Sequence, residues 1–143
     1  MKKEHKDLLI GDLCGRLPYK VIVEFVSYKD EEKPWFGELL CKDLDCFMHD
    51  VGFVEIKPYL FPISSMTIEQ FDELKEYCGL KYSASLLEIV SWTDIHSTLE
   101  FWLEECPSYV IIKVFDWLNA HHFDYRGLIE MGLALEAPEG MYN

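Results

Sequence analysis

The second half of this sequence has almost no cations. Residues 81–143 hold three Lys or Arg against ten Asp or Glu, whereas residues 1–80 hold ten against sixteen. The whole chain carries 13 basic and 26 acidic side chains, a formal charge of −13. Proteins that hold nucleic acid neutralise phosphates with clustered Lys and Arg. No such cluster occurs here, so direct contact with nucleic acid is disfavoured, and a basic protein surface is the better counterpart.

Long apolar runs are missing too. No stretch approaches the roughly 20 residues that a membrane span needs. Leu8-Leu9-Ile10 is interrupted at once by Gly11-Asp12, too short for the apolar part of a secretory signal. The sequence reads as that of a soluble, cytoplasmic protein. The five cysteines (Cys14, Cys41, Cys46, Cys78, Cys106) are odd in number and scattered. A disulfide framework usually has an even count, and the spacing of Cys41 and Cys46 does not by itself make a zinc knuckle. Reduced, mostly buried thiols are expected. Glycine-rich phosphate loops are absent, and Ser64-Ser65 precedes a helix cap instead of occupying a glycine-flanked elbow.

What is present is apolar and aromatic. Half of the 143 residues are hydrophobic and 15% are aromatic, enough to bury a sizeable core in one domain. Leu8, Leu9, Leu13 and Leu17 recur at helical spacing over residues 4–17, with Lys6, Asp7 and Asp12 assigned to the solvated side. Residues 19–28 alternate as a strand, with Val21, Val23 and Phe25 on one face. Residues 35–42 and 46–56 are further strand candidates, which suggests an antiparallel meander. Residues 57–62, with Pro58 and Pro62, read as an extended link.

Thr67 and Gln70 form a capping-box pattern that opens a helix to about Cys78, stopped by Gly79. Residues 82–90 fit either a buried strand or a helix start. A helix capped by Thr93 or Asp94 runs to Cys106, and another runs from Tyr109 to His121 behind Ser108. The expectation is a single α+β domain over residues 1–143, sheet-rich over about 1–62 and helical over about 63–143, with about four helices.

The segments Leu13-Cys14-Gly15-Arg16-Leu17-Pro18-Tyr19, Ile56 through Thr67 and Trp117 through Tyr142 resemble a group of small proteins. These are uncharacterised proteins encoded in phages and prophages of Bacteroides-type gut bacteria. The resemblance touches roughly half of the chain; residues 24–55 and 80–114 match no pattern in that group. It implies a phage accessory gene expressed inside a bacterial host, and carries no catalytic or binding residues with it.

The densest chemistry lies in Trp117 through Ile129. His121, His122 and Asp124 are candidate metal ligands, although a site would need more from His96, His49 or a cysteine. The alternative is that His121 caps the end of its helix, where a partly cationic ring is favoured. Asp124-Tyr125-Arg126 is a candidate anion clamp, with Arg126 as a planar fork; the alternative is an internal Arg–carboxylate pair. Cys106 would be reactive beside His121 and otherwise packs as an inert thiol. The carboxylate pairs Glu31-Glu32, Asp72-Glu73 and Glu104-Glu105 fall on expected solvated faces.

The leading expectation is a non-enzymatic protein that works by binding, antagonising a bacterial defence or another host factor. Its partner surface would comprise Asp72, Glu73, Glu76, Glu100, Glu104 and Glu105, with Trp35 and Phe36 as an aromatic anchor. The partner would be a host protein with a basic surface; no cofactor and no metal are expected. A binder that sequesters a nucleotide signal with His121, His122, Asp124, Tyr125 and Arg126 is a second possibility. A metal-dependent hydrolase centred on His121, His122 and Asp124 is a third.

Overall fold

The computed structural model describes residues 1–29, 33–79 and 108–143. Helix α1 (Lys3–Arg16) buries Leu9 and Leu13, close to the expected bounds. A short 3-10 turn at Leu17–Tyr19 follows, and Lys20 then reverses the chain with a left-handed φ of 57°. Strand β1 (Ile22–Ser27) alternates as its sequence does, burying Val23 and Phe25. Strand β2 (Trp35–Glu38) is shorter than expected.

The strand expected over residues 46–56 is corrected. Helix α2 (Cys41–Met48) occupies its first part, and strand β3 (Phe53–Pro62) begins later and runs further. The cause is periodicity: Leu44 and Phe47 lie three apart and both face the core, while Asp43 turns back to accept the Leu40 N–H at 3.0 Å. The expected link over residues 57–62 is likewise the second half of β3.

The fold is α+β. Strands β2, β1 and β3 are antiparallel, and the two-residue strands β4 (Phe123–Asp124) and β5 (Leu135–Glu136) pair with β3 in parallel, making the sheet mixed. The order β2-β1-β3 puts β1 in the middle, so the strands do not follow one another as a meander. Helices α3 (Ile68–Tyr77) and α4 (Ser108–Ala120) complete the described elements. The expected helix over residues 93–106 and the segment 82–90 lie outside the described residues.

Two compact units divide the described chain, Met1–Leu60 with Arg126–Asn143, and Phe61–Tyr125. The first has a core of Leu9, Leu13, Val21, Val23, Phe25, Leu39, Leu44, Phe47, Ile56, Leu60 and Leu128. The second packs Phe71, Leu74 and Cys78 of α3 against Val110, Val114, Trp117 and Leu118 of α4, with Ile63, Met66 and Phe123. Each large side chain so buried contributes roughly 1.5–3 kcal/mol. The capping box of α3 is formed as its sequence implies: Thr67 Oγ1 accepts from Gln70 N–H at 3.2 Å, and Gln70 Oε1 accepts from Thr67 N–H at 2.9 Å. Gly79, at φ +71°, ends that helix.

Within the first unit, the rungs between β1 and β3 have an unusual end. Leu39 N–H donates to Val21 C=O at 2.9 Å, which makes Val21, Val23 and Phe25 the residues whose main-chain groups face β2. Ile22 and Glu24 therefore face β3, and Pro58, opposite Val23, lacks an N–H where β1 requires none. At the next position, Ile22 opposite Tyr59, a side chain joins the ladder. The Tyr142 hydroxyl accepts Ile22 N–H at 3.0 Å and donates to Tyr59 C=O at 2.7 Å.

Burial pushes the Tyr142 phenol up from 10.0 to about 12, against the opposing effects of the Ile22 hydrogen bond and Arg16. The folded state thus favours the neutral phenol. Its contribution is complete below pH 10.0 and is lost as pH rises towards about 12. Tyr142→Phe should destabilise the protein by about 1–3 kcal/mol at neutral pH, since Ile22 N–H and Tyr59 C=O lose their shared partner. Thermal melts across the alkaline range should show wild type falling more steeply than the variant; parallel curves would contradict the bridge.

Candidate functional site

Asp12 and Arg16 stand one helical turn apart on α1, in line with Leu9 and Leu13, and that spacing turns both inward. Both side chains are fully buried, so the assignment of Asp12 to the solvated face is corrected. Arg16 donates through Nε to Asp12 Oδ2 at 2.7 Å and through a terminal nitrogen to Oδ1 at 3.2 Å. Arg126, about a third exposed, adds Nε to Oδ1 at 3.2 Å. Of the two readings of Arg126, anion clamp or internal Arg–carboxylate pair, the structure shows the second. Its partner comes from the first helix, far away in sequence. The signal was present in the i, i+4 placement of Asp12 and Arg16 beside two leucines.

In the second unit, His121 stacks on Trp117 with ring centroids 3.9 Å apart, and its Nδ1 lies 2.9 Å from the Trp117 carbonyl oxygen. Its Nε2 is 3.8 Å from Glu73 Oε1. That is the environment of a ring at a helix C-terminus. His122 takes a left-handed φ of 62° as the chain leaves α4, and its carbonyl accepts Phe61 N–H at 2.8 Å. Asp124 is buried in β4. The Tyr125 hydroxyl donates to Asn119 Oδ1 at 3.0 Å, and its ring lies 4.9 Å from that of Phe115. No group of three or more His, Cys, Asp or Glu among the described residues is arranged to hold a metal ion. His96 and Cys106 lie outside those residues; His49 is in the first unit, with Nδ1 2.8 Å from Asp45 C=O.

The thiols differ from expectation. Of the four in described residues, Cys78 is buried, Cys46 is half-buried, and Cys14 and Cys41 are exposed; all four are free thiols. The scatter of cysteines through helices says nothing about which helical side they take.

Two surfaces carry exposed chemistry, one in each unit. On α3, the repeat of about 3.6 residues sets Glu69, Asp72, Glu73 and Glu76 opposite the buried Phe71, Leu74 and Cys78. All four acids are exposed, and Ile68 (50%) and Tyr77 (51%) are exposed on either side of them. Lys75 pairs with Asp72 at 2.9 Å. Glu69 belongs to this face by the same spacing that marks Asp72 and Glu73, and was overlooked in the sequence. Glu100, Glu104, Glu105, Glu31 and Glu32 lie outside the described residues.

The other surface is the β2 edge. Trp35 and Phe36 are consecutive in a strand and so point to opposite faces. Trp35 turns to the core side, stacked on Phe25 with centroids 5.4 Å apart and 42% exposed. Phe36 is 68% exposed on the outer side, edge-on to Tyr59 at 6.5 Å. Burial and the neighbouring Glu24 push the Tyr59 phenol above its ordinary value.

Comparison with protein-family models, with curated proteins and with solved structures returns no match. No helix among the described residues is long and apolar enough to cross a membrane.

Removing Asp12 should expose what its carboxylate does. Asp12→Ala takes away the anion facing a buried guanidinium and should cost about 3–5 kcal/mol. Arg126→Gln, at a partly exposed donor, should cost less than about 1.5 kcal/mol. Urea titration of both variants tests the ranking; equal losses would show that Asp12 and Arg16 do not form the central pair.

Proposed function

We propose that this protein acts by binding, with the outward face of α3 docking against a basic surface of a partner protein. The observation that carries the reading is the arrangement on α3: four exposed carboxylates in a row, opposite the core, with Ile68 and Tyr77 as apolar anchors at their sides. Interfaces commonly combine a few aromatic or aliphatic anchors with a charged rim. One ammonium on the helix, Lys75, stands against these four acids, so the face keeps a net negative charge.

The net charge of −13 argues in the same direction. It repels nucleic acid and steers the molecule towards cationic surfaces, raising the rate of encounter more than the final affinity. A bacterial host protein whose basic surface ordinarily holds nucleic acid fits this chemistry. The resemblance to phage accessory proteins supports a role in antagonising such a host factor from within the cytoplasm. The nucleotide-binding and hydrolase readings gain no observation, because Arg126 is engaged by Asp12 and His121 by the end of its helix.

Neutralising the face with Asp72→Asn, Glu73→Gln and Glu76→Gln should leave the melting temperature nearly unchanged, since all three side chains are exposed. Association with the host partner captured by the wild type should slow about tenfold, and raised salt should slow the wild type similarly. A partner that binds both proteins alike, at low and high salt, would refute the acidic face as the docking surface.

A further inference from the structure

The β2 edge lies in the other unit and is not used by the reading of α3. The alternation fixed by Leu39 N–H donating to Val21 C=O sets Trp35 and Gly37 towards β1. It turns the N–H and C=O groups of Phe36 and Glu38 away from β1, along the edge. Among the described residues β2 pairs with β1 and with no other strand. An edge with main-chain donors and acceptors directed outward is a template for another strand.

The side chains say what kind of strand. Phe36 and Glu38 share the outer face, and Glu24 stands opposite Phe36 on β1. Lys57 is opposite Glu24, but its Nζ lies 3.5 Å from Glu55. The outer face of these strands therefore carries three carboxylates and one ammonium, with the exposed Phe36 ring at its edge. We propose that β2 accepts an extended segment of a partner protein, with Lys or Arg alternating with apolar residues, as an added edge strand. Alternation puts all the basic side chains on one face of the added strand, beside Glu38 and over the Phe36 ring, and the apolar ones on the other face, beside Trp35.

A second copy of this chain fits poorly. Two-fold antiparallel pairing centred on Phe36 sets Pro34 opposite Glu38, where proline has no N–H to donate. Centred on Glu38, it juxtaposes two carboxylates; centred on Gly37, it sets Pro34 opposite Leu40, whose N–H is already held by Asp43. In every register each copy brings a charge of −13.

The test uses the full chain and a capped, fluorescently labelled peptide of alternating lysine and valine. The same peptide with its edge-facing amides N-methylated and a glutamate–valine peptide serve as comparators. Anisotropy should show the lysine–valine peptide binding at least about tenfold more tightly than either comparator. NMR-detected hydrogen exchange should show Phe36 and Glu38 amides becoming protected when it binds. Phe36→Pro, which removes one outward N–H, should weaken binding about tenfold, while the α3 triple substitution leaves it unchanged. Unchanged exchange at Phe36 and Glu38, equal binding of the methylated peptide, or loss of binding on α3 neutralisation alone would overturn the proposal. Protection of those amides in a concentration-dependent dimer without peptide would overturn it in favour of self-association. The methylated-peptide comparison uses wild type and stands even if Phe36→Pro fails to fold.

Discussion

The carboxylate of Asp12 receives two guanidinium groups inside the first unit, and the shape of that unit depends on it. A buried ion is stable only where it is paired and its remaining hydrogen-bonding capacity is used. Asp12 meets that condition by taking three donor contacts, two from the next turn of its own helix and one from Arg126. The cost of burying charge is offset by geometry, and geometry is therefore specified. Arg126 ties the return of the chain into the first unit to the helix that opens it. Leu128, Leu133 and Ala134 then complete a core begun by Leu9 and Leu13.

The second unit has a different logic. Its core is aromatic and aliphatic, with Trp117 parallel to both His121 and Phe123. The dense run of histidine, aspartate, tyrosine and arginine that dominates the sequence is used largely to end a helix and start a strand. His121 lies against a helix carbonyl, His122 takes the left-handed turn, and Tyr125 reaches back to Asn119. Clustering in sequence and convergence in space are separate properties, and here the first does not bring the second.

Legibility followed the range of the interaction. Helices α1, α3 and α4 were readable because their apolar spacing, the Thr67–Gln70 box and Gly79 are local signals. Strand β1 was readable from alternation. Helix α2 was not, because β-compatible residues such as Cys46 and Phe47 hid an i, i+3 pair in eight residues. The position of β1 between β2 and β3 depends on pairing across distant segments, which no local pattern encodes. Among functional candidates, the exposure of Asp72, Glu73 and Glu76 was legible from helical phase. The opposite orientations of Trp35 and Phe36 were legible from their expected strand, but which of the two turns to the core was not. Arg126 was legible as unusual, yet its partner 114 residues earlier was not.

The end of the β1–β3 ladder is braced by the Tyr142 hydroxyl, 120 residues from one strand and 83 from the other. During synthesis the two strands can meet well before residue 142 leaves the ribosome, but that brace cannot yet exist. The ladder is therefore braced only after translation of its own residues has long ended. Until then Ile22 N–H and Tyr59 C=O lack their shared hydroxyl partner, and this end of the nascent sheet is held by strand pairing alone.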